Sequence, residues 1–379
     1  MAGSRFLVVG LAVAALALGV CGRGYATPPA GQAQPAGKVV VEPADNATDV
    51  APAARLRVSV TDGVLGDIRL TESGGRRLKG KLSEDMRSWT ATEKPDFDKD
   101  YSYSGTATDA TGSPLTVSGT FRTAKPRVQV TVSPRVDEGG TYGVAQPVWL
   151  VFPAGGIKQK YRPGIERSVS VESEPKTEGA WAWIDAENLV WRPKEYWKPG
   201  TKVTIRSSLR GVHFGNDAYG RNDFTRNITI GRHQLVRAET DSYRLIVERD
   251  GKRIRNYPAS YGLDSDPDLV TRSGRYFIMS KHEMYYMRRF DFEAFWSLRL
   301  SNHGEFIHAN PGTEGHQGRR NVSHGCANLS MADAEDYFHI ALVGDPVLVT
   351  GSLIELPAKG ADFWAYPWDT WRSLSSLKG

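Results

Sequence analysis

The sequence predicts a mainly β protein in which two sandwich-like regions precede a third β-rich region that contains one helix. Polar and apolar residues alternate at 56–60 and again at 128–132, which is the period expected of half-buried strands. Asp250-Gly251 lies between two further strand-like segments and is typical of a type I′ hairpin turn. Residues 38–123 show no convincing helical periodicity. A chain of 379 residues is long enough for two or three domains, each with its own core.

The N-terminus has the pattern of an export signal. A basic residue precedes an apolar run at 6–20, which suits a signal peptide and is short for a membrane span. Small residues favour cleavage after position 26. Cys21 offers lipidation instead, because 18–21 is similar to a bacterial lipobox, although Val20 replaces the usual small residue. In both cases we expect an exported protein, and a lipid at Cys21, where it is added, would be its only attachment to the membrane.

The remaining chain divides by composition and turn signals. Short strands with frequent turns are typical of immunoglobulin-like sandwiches. Four tryptophans cluster in the second sandwich, at 181, 183, 191 and 197; we expect core packing there, and a carbohydrate-binding platform is the alternative. The predicted segments are a signal peptide at 1–26, a linker at 27–37, sandwiches at 38–124 and 125–231, the third region at 232–352, and a C-terminal tail at 353–379.

The third region is expected to contain a helix soon after Cys326. Ser330 and Asp333 form a weak capping box, and the pattern predicts a helix that continues to Gly344. Such a helix would bring its N-terminal partial positive charge near Cys326 and favour a thiolate. The tail is rich in aromatic residues at 363–371, which predicts that it packs on the third region rather than remaining disordered.

The candidate site is a cysteine with a histidine eighteen residues upstream. Acyl transfer requires a nucleophile, a base and donors for an oxyanion, and a histidine near Cys326 would lower the thiol pKa. His308 can reach Cys326 only if the glycine-rich loop 311–325 folds back on itself. Gly325, directly before the cysteine, should leave its amide unobstructed.

Two other interpretations of this cysteine are possible. A single cysteine is often a small buried hydrophobic residue. A zinc site would use His308, His316, His324 and Cys326 as a tetrad, but only His324 and Cys326 have the close spacing usual in such sites. Loss or lipidation of Cys21 would leave Cys326 as the sole thiol of an exported protein, which favours a reactive role. We therefore predict a catalytic nucleophile and no metal or other cofactor.

The segment Ser323-His324-Gly325-Cys326-Ala327-Asn328 resembles the signature of L,D-transpeptidases, cysteine enzymes that cross-link peptidoglycan. His308 stands where that family has its upstream histidine. Residues 271–277 resemble another family segment, with Arg272 in place of its proline. Residues 281–296 correspond to the family's lid over the site, and Met287 to a lid methionine. Residues 192–201 resemble the end of the immunoglobulin-like domain that precedes the catalytic domain in the actinobacterial enzymes.

The resemblance implies a two-step acyl transfer. Cys326 would attack the carbonyl of the third residue, meso-diaminopimelate, of a donor tetrapeptide stem and release D-alanine. The amine of a neighbouring stem would then resolve the thioester and form a 3→3 cross-link. His308 would act as base and then acid, oriented by the Ala309 carbonyl, and carbapenems would acylate Cys326. The resemblance also implies that His324 shapes the site and that the amides of Gly325 and Cys326 form an oxyanion hole. The residues implied to contact the substrate are Asn328, Met287 and Ser323.

Two further functions remain compatible with the sequence. Water could resolve the thioester, which would make the protein an L,D-carboxypeptidase. A non-catalytic wall-binding protein is the alternative outside enzymes, and the joint presence of His308, His324 and Cys326 argues against it. The formal charge of +5 would suit an anionic cell wall, or it is an ordinary surface charge. No motif indicates nucleic-acid binding.

Overall fold

The computed structural model describes residues 37–153 and 155–377. The predicted signal peptide, the lipidation site at Cys21 and nearly all of the 27–37 linker lie outside these residues. Strands account for 46% of the chain and helices for 9%, so the predicted mainly β class is confirmed. None of the helices in the described part of the chain is long and apolar enough to cross a membrane.

The first sandwich consists of two sheets packed face to face. One sheet has the strand order β1-β3-β7-β6 and the other β2-β9-β8-β4-β5. Alternate residues such as Val58, Leu70 and Val117 are fully buried between the sheets, as the alternating pattern requires. The strands are β1 (Lys38–Glu42), β2 (Ala47–Val50), β3 (Arg57–Thr61), β4 (Gly63–Glu72), β5 (Arg77–Leu78), β6 (Gly80–Leu82), β7 (Ser88–Ala91), β8 (Asp100–Asp109) and β9 (Pro114–Thr123).

The second sandwich has three small sheets around one core. Their orders are β10-β18-β17, β11-β19-β16-β13 and β12-β15-β14. Trp183, Trp191 and Trp197 are buried in this core, which confirms the packing interpretation for them. The elements are β10 (Val128–Val130), β11 (Thr141–Tyr142), β12 (Val148–Val151), α1 (Arg162–Arg167), β13 (Val169–Glu174), β14 (Gly179–Trp183), β15 (Asn188–Pro193), β16 (Lys202–Ser207), β17 (His213–Gly215), β18 (Ala218–Gly220) and β19 (Phe224–Ile230). Helix α1, a short helix that buries Ile165, is not indicated by the sequence pattern.

The third region contains two sheets, and the candidate site lies on the second. The first has the order β22-β21-β20-β28-β23 and the second β24-β25-β26-β27. Asp250 and Gly251, between β21 and β22, have φ angles of 51° and 77°, which confirms the type I′ turn. The elements are β20 (Gln234–Glu239), β21 (Arg244–Arg249), β22 (Lys252–Pro258), β23 (Gly274–Phe277), β24 (Ser280–Met287), β25 (Phe292–Arg299), β26 (Phe306–Ala309), β27 (Ala327–Leu329), α2 (Met331–Ile340) and β28 (Pro346–Thr350).

Helix α2 covers one face of the second sheet. The Ser330 hydroxyl accepts a hydrogen bond from the amide of Asp333 at 3.1 Å, which confirms Ser330 as the N-cap. The helix buries Ala334 and Tyr337 in the core shared with β25 and β26. It ends at Ile340, four residues earlier than predicted, because Ala341 already has extended dihedral angles.

The C-terminal segment packs between the second sandwich and the third region. It contains α3 (Trp368–Ser373), whose Trp371 is fully buried. The indole of Trp371 donates to the Ala180 carbonyl, and that of Trp364 to the Ala145 carbonyl, each at 2.9 Å. Phe363 also stacks on Phe277 of β23, at 5.8 Å between ring centroids. The tail thus contacts the second sandwich extensively, in addition to the expected contact with the third region.

Candidate active site

Two neighbouring strands bring His308 and Cys326 to the same face of the second sheet. Strands β26 and β27 run parallel, and His308 pairs with Asn328. Side chains alternate along a strand, so the side chain of Cys326, two residues before Asn328, shares the face of His308. The intervening residues Ile307 and Ala327 face the core beneath. The fold therefore brings the thiol and the imidazole together although eighteen residues separate them in sequence.

Cys326 is held as a neutral thiol in an apolar setting. Its side chain is 7% exposed, is packed with Met287 and Phe306, and donates to the carbonyl oxygen of Gly304 at 3.5 Å. Burial raises the pKa of the thiol to about 12, and the amide of Phe306 opposes that rise in part. A thiol in such surroundings becomes an attacking group only when a nearby base removes its proton.

His308 has the properties of such a base. Its Nδ1 lies 2.9 Å from the carbonyl oxygen of Ala309. A carbonyl can only accept, so Nδ1 carries the proton and Nε2 keeps a free lone pair. The ring is 3% exposed and faces a cavity of about 330 Å³ that Cys326 and Asn328 also line. Burial lowers the pKa of His308 to about 4, which keeps the ring neutral.

These protonation states correct the predicted thiolate in the free protein. Both groups are buried beside apolar side chains, and desolvation disfavours their charged forms. The three residues of β27 lie between Cys326 and the start of α2, so Cys326 is outside the first turn of that helix, where its dipole acts most strongly. Before a substrate binds, the pair is a neutral thiol and a neutral imidazole.

The loop before Cys326 is fixed by hydroxyl groups. Ser323 donates to the carbonyl oxygen of Cys326 at 2.6 Å, and its oxygen accepts from the amide of Gly325 at 3.2 Å. The Gly325 amide is therefore occupied, which argues against the oxyanion role expected for it. Gly325 has a φ of +117°, a conformation that strongly favours glycine.

Thr271 holds the other side of this loop and was missed as a site residue in the sequence analysis. Its buried hydroxyl donates to the carbonyl oxygen of Gly325 at 3.0 Å and accepts from the amide of Gly262 at 2.8 Å. The sequence offered a signal, since Thr271 begins the 271–277 segment that carries part of the family resemblance. It gave no indication that this threonine would contact the residue before Cys326.

Asn328 contributes an unused polar atom to the cavity. Its side chain is 1% exposed, and its Oδ1 has no hydrogen-bond partner among the described residues. A buried carbonyl oxygen without a partner costs about 1–3 kcal/mol. Asn328 lines the cavity with His308 and Cys326, so the donor that satisfies it can come from a bound ligand.

A β-hairpin lies over the site, where the sequence analysis expected a lid. Strands β24 and β25 form it, and residues 288–291 make its turn. Phe290 lies 4.9 Å from the exposed ring of His324, and Phe292 lies 5.7 Å from that of His308, measured between ring centroids. Met287, Phe290 and His324 separate the inner cavity of about 330 Å³ from an outer cavity of about 590 Å³.

The residues considered for a metal site are not gathered into one. Among residues 37–153 and 155–377, no three His, Cys, Asp or Glu side chains are arranged to hold an ion. His316 lines neither of the two cavities.

Comparison with known proteins extends the local resemblance to most of the chain. Residues 47–213 match the bacterial Ig domain family, and residues 233–349 match the L,D-transpeptidase catalytic domain family. L,D-transpeptidase 5 of Mycobacterium tuberculosis is 39% identical over 90% of this chain and 78% of its own length. The chain belongs to the L,D-transpeptidase family.

Other proteins similar to this L,D-transpeptidase include a second curated relative and two solved structures. L,D-transpeptidase 2 of Mycobacterium tuberculosis is 29% identical over 89% of this chain and 84% of its own length. A solved L,D-transpeptidase in complex with imipenem covers 57% of this chain and 97% of its own, with 29% identity and a TM-score of 0.48. L,D-transpeptidase 3 of Mycobacterium tuberculosis, solved with a faropenem-derived adduct, covers 58% and 97%, with 26% identity and a TM-score of 0.47.

The protein is therefore an acyltransferase of a family associated with the cell wall, with immunoglobulin-like domains before its catalytic domain. The predicted family and domain types are confirmed.

Proposed function

We propose that this transpeptidase forms 3→3 peptidoglycan cross-links through a thioester on Cys326, with His308 as general base. One observation carries the proposal: the buried imidazole and the chain's buried thiol share one sheet face and one cavity. The hydrogen bond from Nδ1 to Ala309 leaves Nε2 as the basic nitrogen on the ring's other edge.

The first step starts from the neutral pair. As Sγ attacks the third-residue carbonyl of a donor tetrapeptide, Nε2 of His308 takes the thiol proton, and the carbonyl oxygen becomes an oxyanion. Collapse of this intermediate breaks the amide bond. His308 returns the proton to the leaving nitrogen, so that D-alanine departs and the thioester remains. Because neither group is charged at the start, charge develops only in the transition state.

The second step reverses the same proton path. The side-chain amine of an acceptor stem attacks the thioester carbonyl, and His308 takes a proton from this nitrogen. The intermediate then expels the Cys326 thiolate, which recovers its proton from His308. A lid that excludes water favours the amine over hydrolysis, and Met287 and Phe290 supply apolar cover at this point.

Several residues bind or position the substrate in this proposal. Asn328 accepts a hydrogen bond from a stem amide through its unpartnered Oδ1. The Cys326 amide donates to the oxyanion. Ser323 and Thr271 hold the Cys326 loop from opposite sides. His324, exposed beside Phe290, contacts the stem where the two cavities meet.

Export also forms part of the proposal. Peptidoglycan stems lie outside the cytoplasmic membrane, and residues 1–26 have the composition of an export signal. Lipidation at Cys21 would keep the enzyme on the membrane surface, and cleavage after residue 26 would release it.

The test begins with carbapenem acylation followed by intact-mass measurement. The wild-type protein should gain one adduct on the peptide that contains Cys326, and Cys326→Ala should gain none. His308→Gln should react at least about 100-fold more slowly, because general-base catalysis contributes about 10²–10⁴-fold. His316→Gln is the matched control and should react like the wild type. Adduct formation that is independent of His308 would refute its role.

A disaccharide-tetrapeptide substrate then separates transfer from hydrolysis. Cross-linked dimer is the expected product, with D-alanine released in equal amount. Tripeptide as the dominant product at millimolar acceptor would identify the protein as an L,D-carboxypeptidase instead.

A further inference from the structure

A short loop, residues 301–305, lies between β25 and β26 and carries the carbonyl group that binds the thiol of Cys326. The thiol donates to the Gly304 carbonyl oxygen at 3.5 Å and to no other group in the described part of the chain. Gly304 has a φ of +111°, and a Cβ added there would meet no described atom within 4 Å apart from its chain neighbours. The glycine is therefore not held by its own packing, so the residues beside it must fix the direction of this carbonyl.

The base of the loop is fixed by Ser301 and Glu305. The Ser301 hydroxyl donates to the Glu305 carboxylate and accepts from the amides of His303 and Glu305, at 3.0 Å and 3.4 Å. Arg272 donates to the same carboxylate at 3.3 Å. These bonds close the loop, but none of them reaches the side chain of His303, the residue directly before Gly304.

The C-terminal tail supplies the contact that holds the His303 side chain. Oδ2 of Asp362 lies 3.0 Å from Nε2 of His303, and since an ionised carboxylate can only accept, Nε2 carries a proton. Asp362 is 4% exposed, whereas His303 lies at the surface. Phe363 and Trp364, which follow Asp362, are buried against the second sandwich. The carboxylate is thus anchored by a part of the molecule distinct from the loop that it contacts.

Asp362 is poorly compensated for a buried carboxylate. Neither of its side-chain oxygens has a hydrogen bond of regular geometry among the described residues, so the close approach to His303 is its main favourable contact. A buried carboxylate with so few partners is unfavourable for folding, and an apolar side chain in such a place is often neutral or stabilising. A buried polar group of this kind requires an explanation other than stability.

These contacts form a continuous path from the tail to the nucleophile. It runs from Asp362 through His303 and Gly304 to the thiol of Cys326. We propose that Asp362 is a positioning residue that acts through His303 to hold the Gly304 carbonyl, and with it the Cys326 thiol, in the orientation for attack. This inference rests on the proposed function, because it concerns the reactivity of Cys326 as a nucleophile.

The first test observes the hydrogen bond of the thiol itself. In the full chain with Cys21→Ser, Cys326 is the only thiol, and infrared difference spectroscopy can follow its S–H stretching band. Asp362→Leu should move this band to higher wavenumber, because the thiol loses the Gly304 carbonyl as its acceptor. Asp362→Asn retains an oxygen that can accept from His303 and should keep the wild-type band.

The second test measures carbapenem acylation of the same variants. Asp362→Leu should react about tenfold more slowly, because a displaced nucleophile loses its alignment, although its free energy of unfolding should equal or exceed that of the wild type. His303→Phe removes the other partner and should give the same band shift and loss of rate. The double variant should be no slower than the slower single variant, since both substitutions break one link. Because His303 is exposed, His303→Phe tests the path even where Asp362→Leu does not fold.

The matched control is Asp369→Leu. Asp369 is an exposed carboxylate on the same tail, so the substitution changes the net charge equally, and it should keep the wild-type band and rate. Slower acylation of Asp362→Leu with an unshifted S–H band would show that the residue acts only on the tail and would overturn the inference. A wild-type band and rate in Asp362→Leu and His303→Phe, with acylation still dependent on His308, would refute the positioning role alone. Acylation that does not depend on His308 would instead refute the proposed function.

Discussion

Removing the hydroxyl of Thr271 should loosen the loop that presents Cys326. Thr271→Val keeps the shape of the side chain and deletes both of its hydrogen bonds, to Gly325 and Gly262. Loss of these bonds leaves the buried Gly325 carbonyl and the buried Gly262 amide without partners, and each unpaired group costs about 1–3 kcal/mol. We expect the two together to reduce local stability by about 2–4 kcal/mol, because some relaxation accompanies the change.

Hydrogen exchange followed by mass spectrometry measures this effect locally. The amides of Ser323 and Leu263 donate to Tyr261 and Ser323, at 2.9 Å and 3.0 Å, and neither loses its own acceptor in Thr271→Val. Their exchange should nevertheless accelerate by at least about 30-fold, since 1.4 kcal/mol corresponds to a factor of ten.

The same substitution should slow carbapenem acylation by about tenfold, because the Cys326 loop is held less firmly in the reactive geometry. Thr271→Ser retains the hydroxyl and should behave like the wild type in both measurements. Wild-type exchange and acylation in Thr271→Val would refute the role given to this threonine.

Three other predictions follow from the buried pair and the tail. The thiol pKa of about 12 and the His308 pKa of about 4 both lie outside the range from pH 5.5 to 8.5. The second-order rate constant of carbapenem acylation should therefore vary less than about twofold across that range. An inflection near pH 6.5 that disappears in His308→Gln would contradict the neutral pair. The pKa of His308 is about 6.5 in the unfolded chain and about 4 in the folded protein, so the unfolded chain takes up the proton first as the pH falls. The free energy of unfolding should therefore decrease by about 3 kcal/mol between pH 6.5 and pH 4. His308→Gln should remove that part of the acid dependence in urea unfolding, and an unchanged dependence would contradict the lowered pKa. Trp371→Ala should lower the free energy of unfolding by about 3–5 kcal/mol, because the indole is fully buried and donates to the Ala180 carbonyl. A decrease below about 1 kcal/mol would show that the packing of the tail is dispensable.

Local patterns predicted much of the framework. Asp250-Gly251 specifies its turn through φ angles that few other residue pairs tolerate, and Ser330 caps α2 through an adjacent amide. Such features depend on neighbours within a few residues, so they can be found in the sequence. Helix α1 could not be found in this way, since its six residues are too few for a periodic pattern.

The composition of the site was also predictable, whereas its electrostatics were not. The resemblance around 323–328 indicated Cys326 and His308 together. Their protonation states depend on burial by Met287, Phe292 and Phe306, residues that reach the site through the tertiary fold. The contact of Thr271 with Gly325 spans 54 residues, and no local signal specifies it.

The most direct test of the central claim is rapid-quench mass spectrometry with a disaccharide-tetrapeptide donor and no acceptor. The account predicts a transient thioester on the Cys326 peptide, formed with release of one D-alanine. It should form at least about 100-fold more slowly in His308→Gln and at the wild-type rate in His316→Gln. An acyl group on any other residue, or one that forms equally fast without His308, would contradict the account.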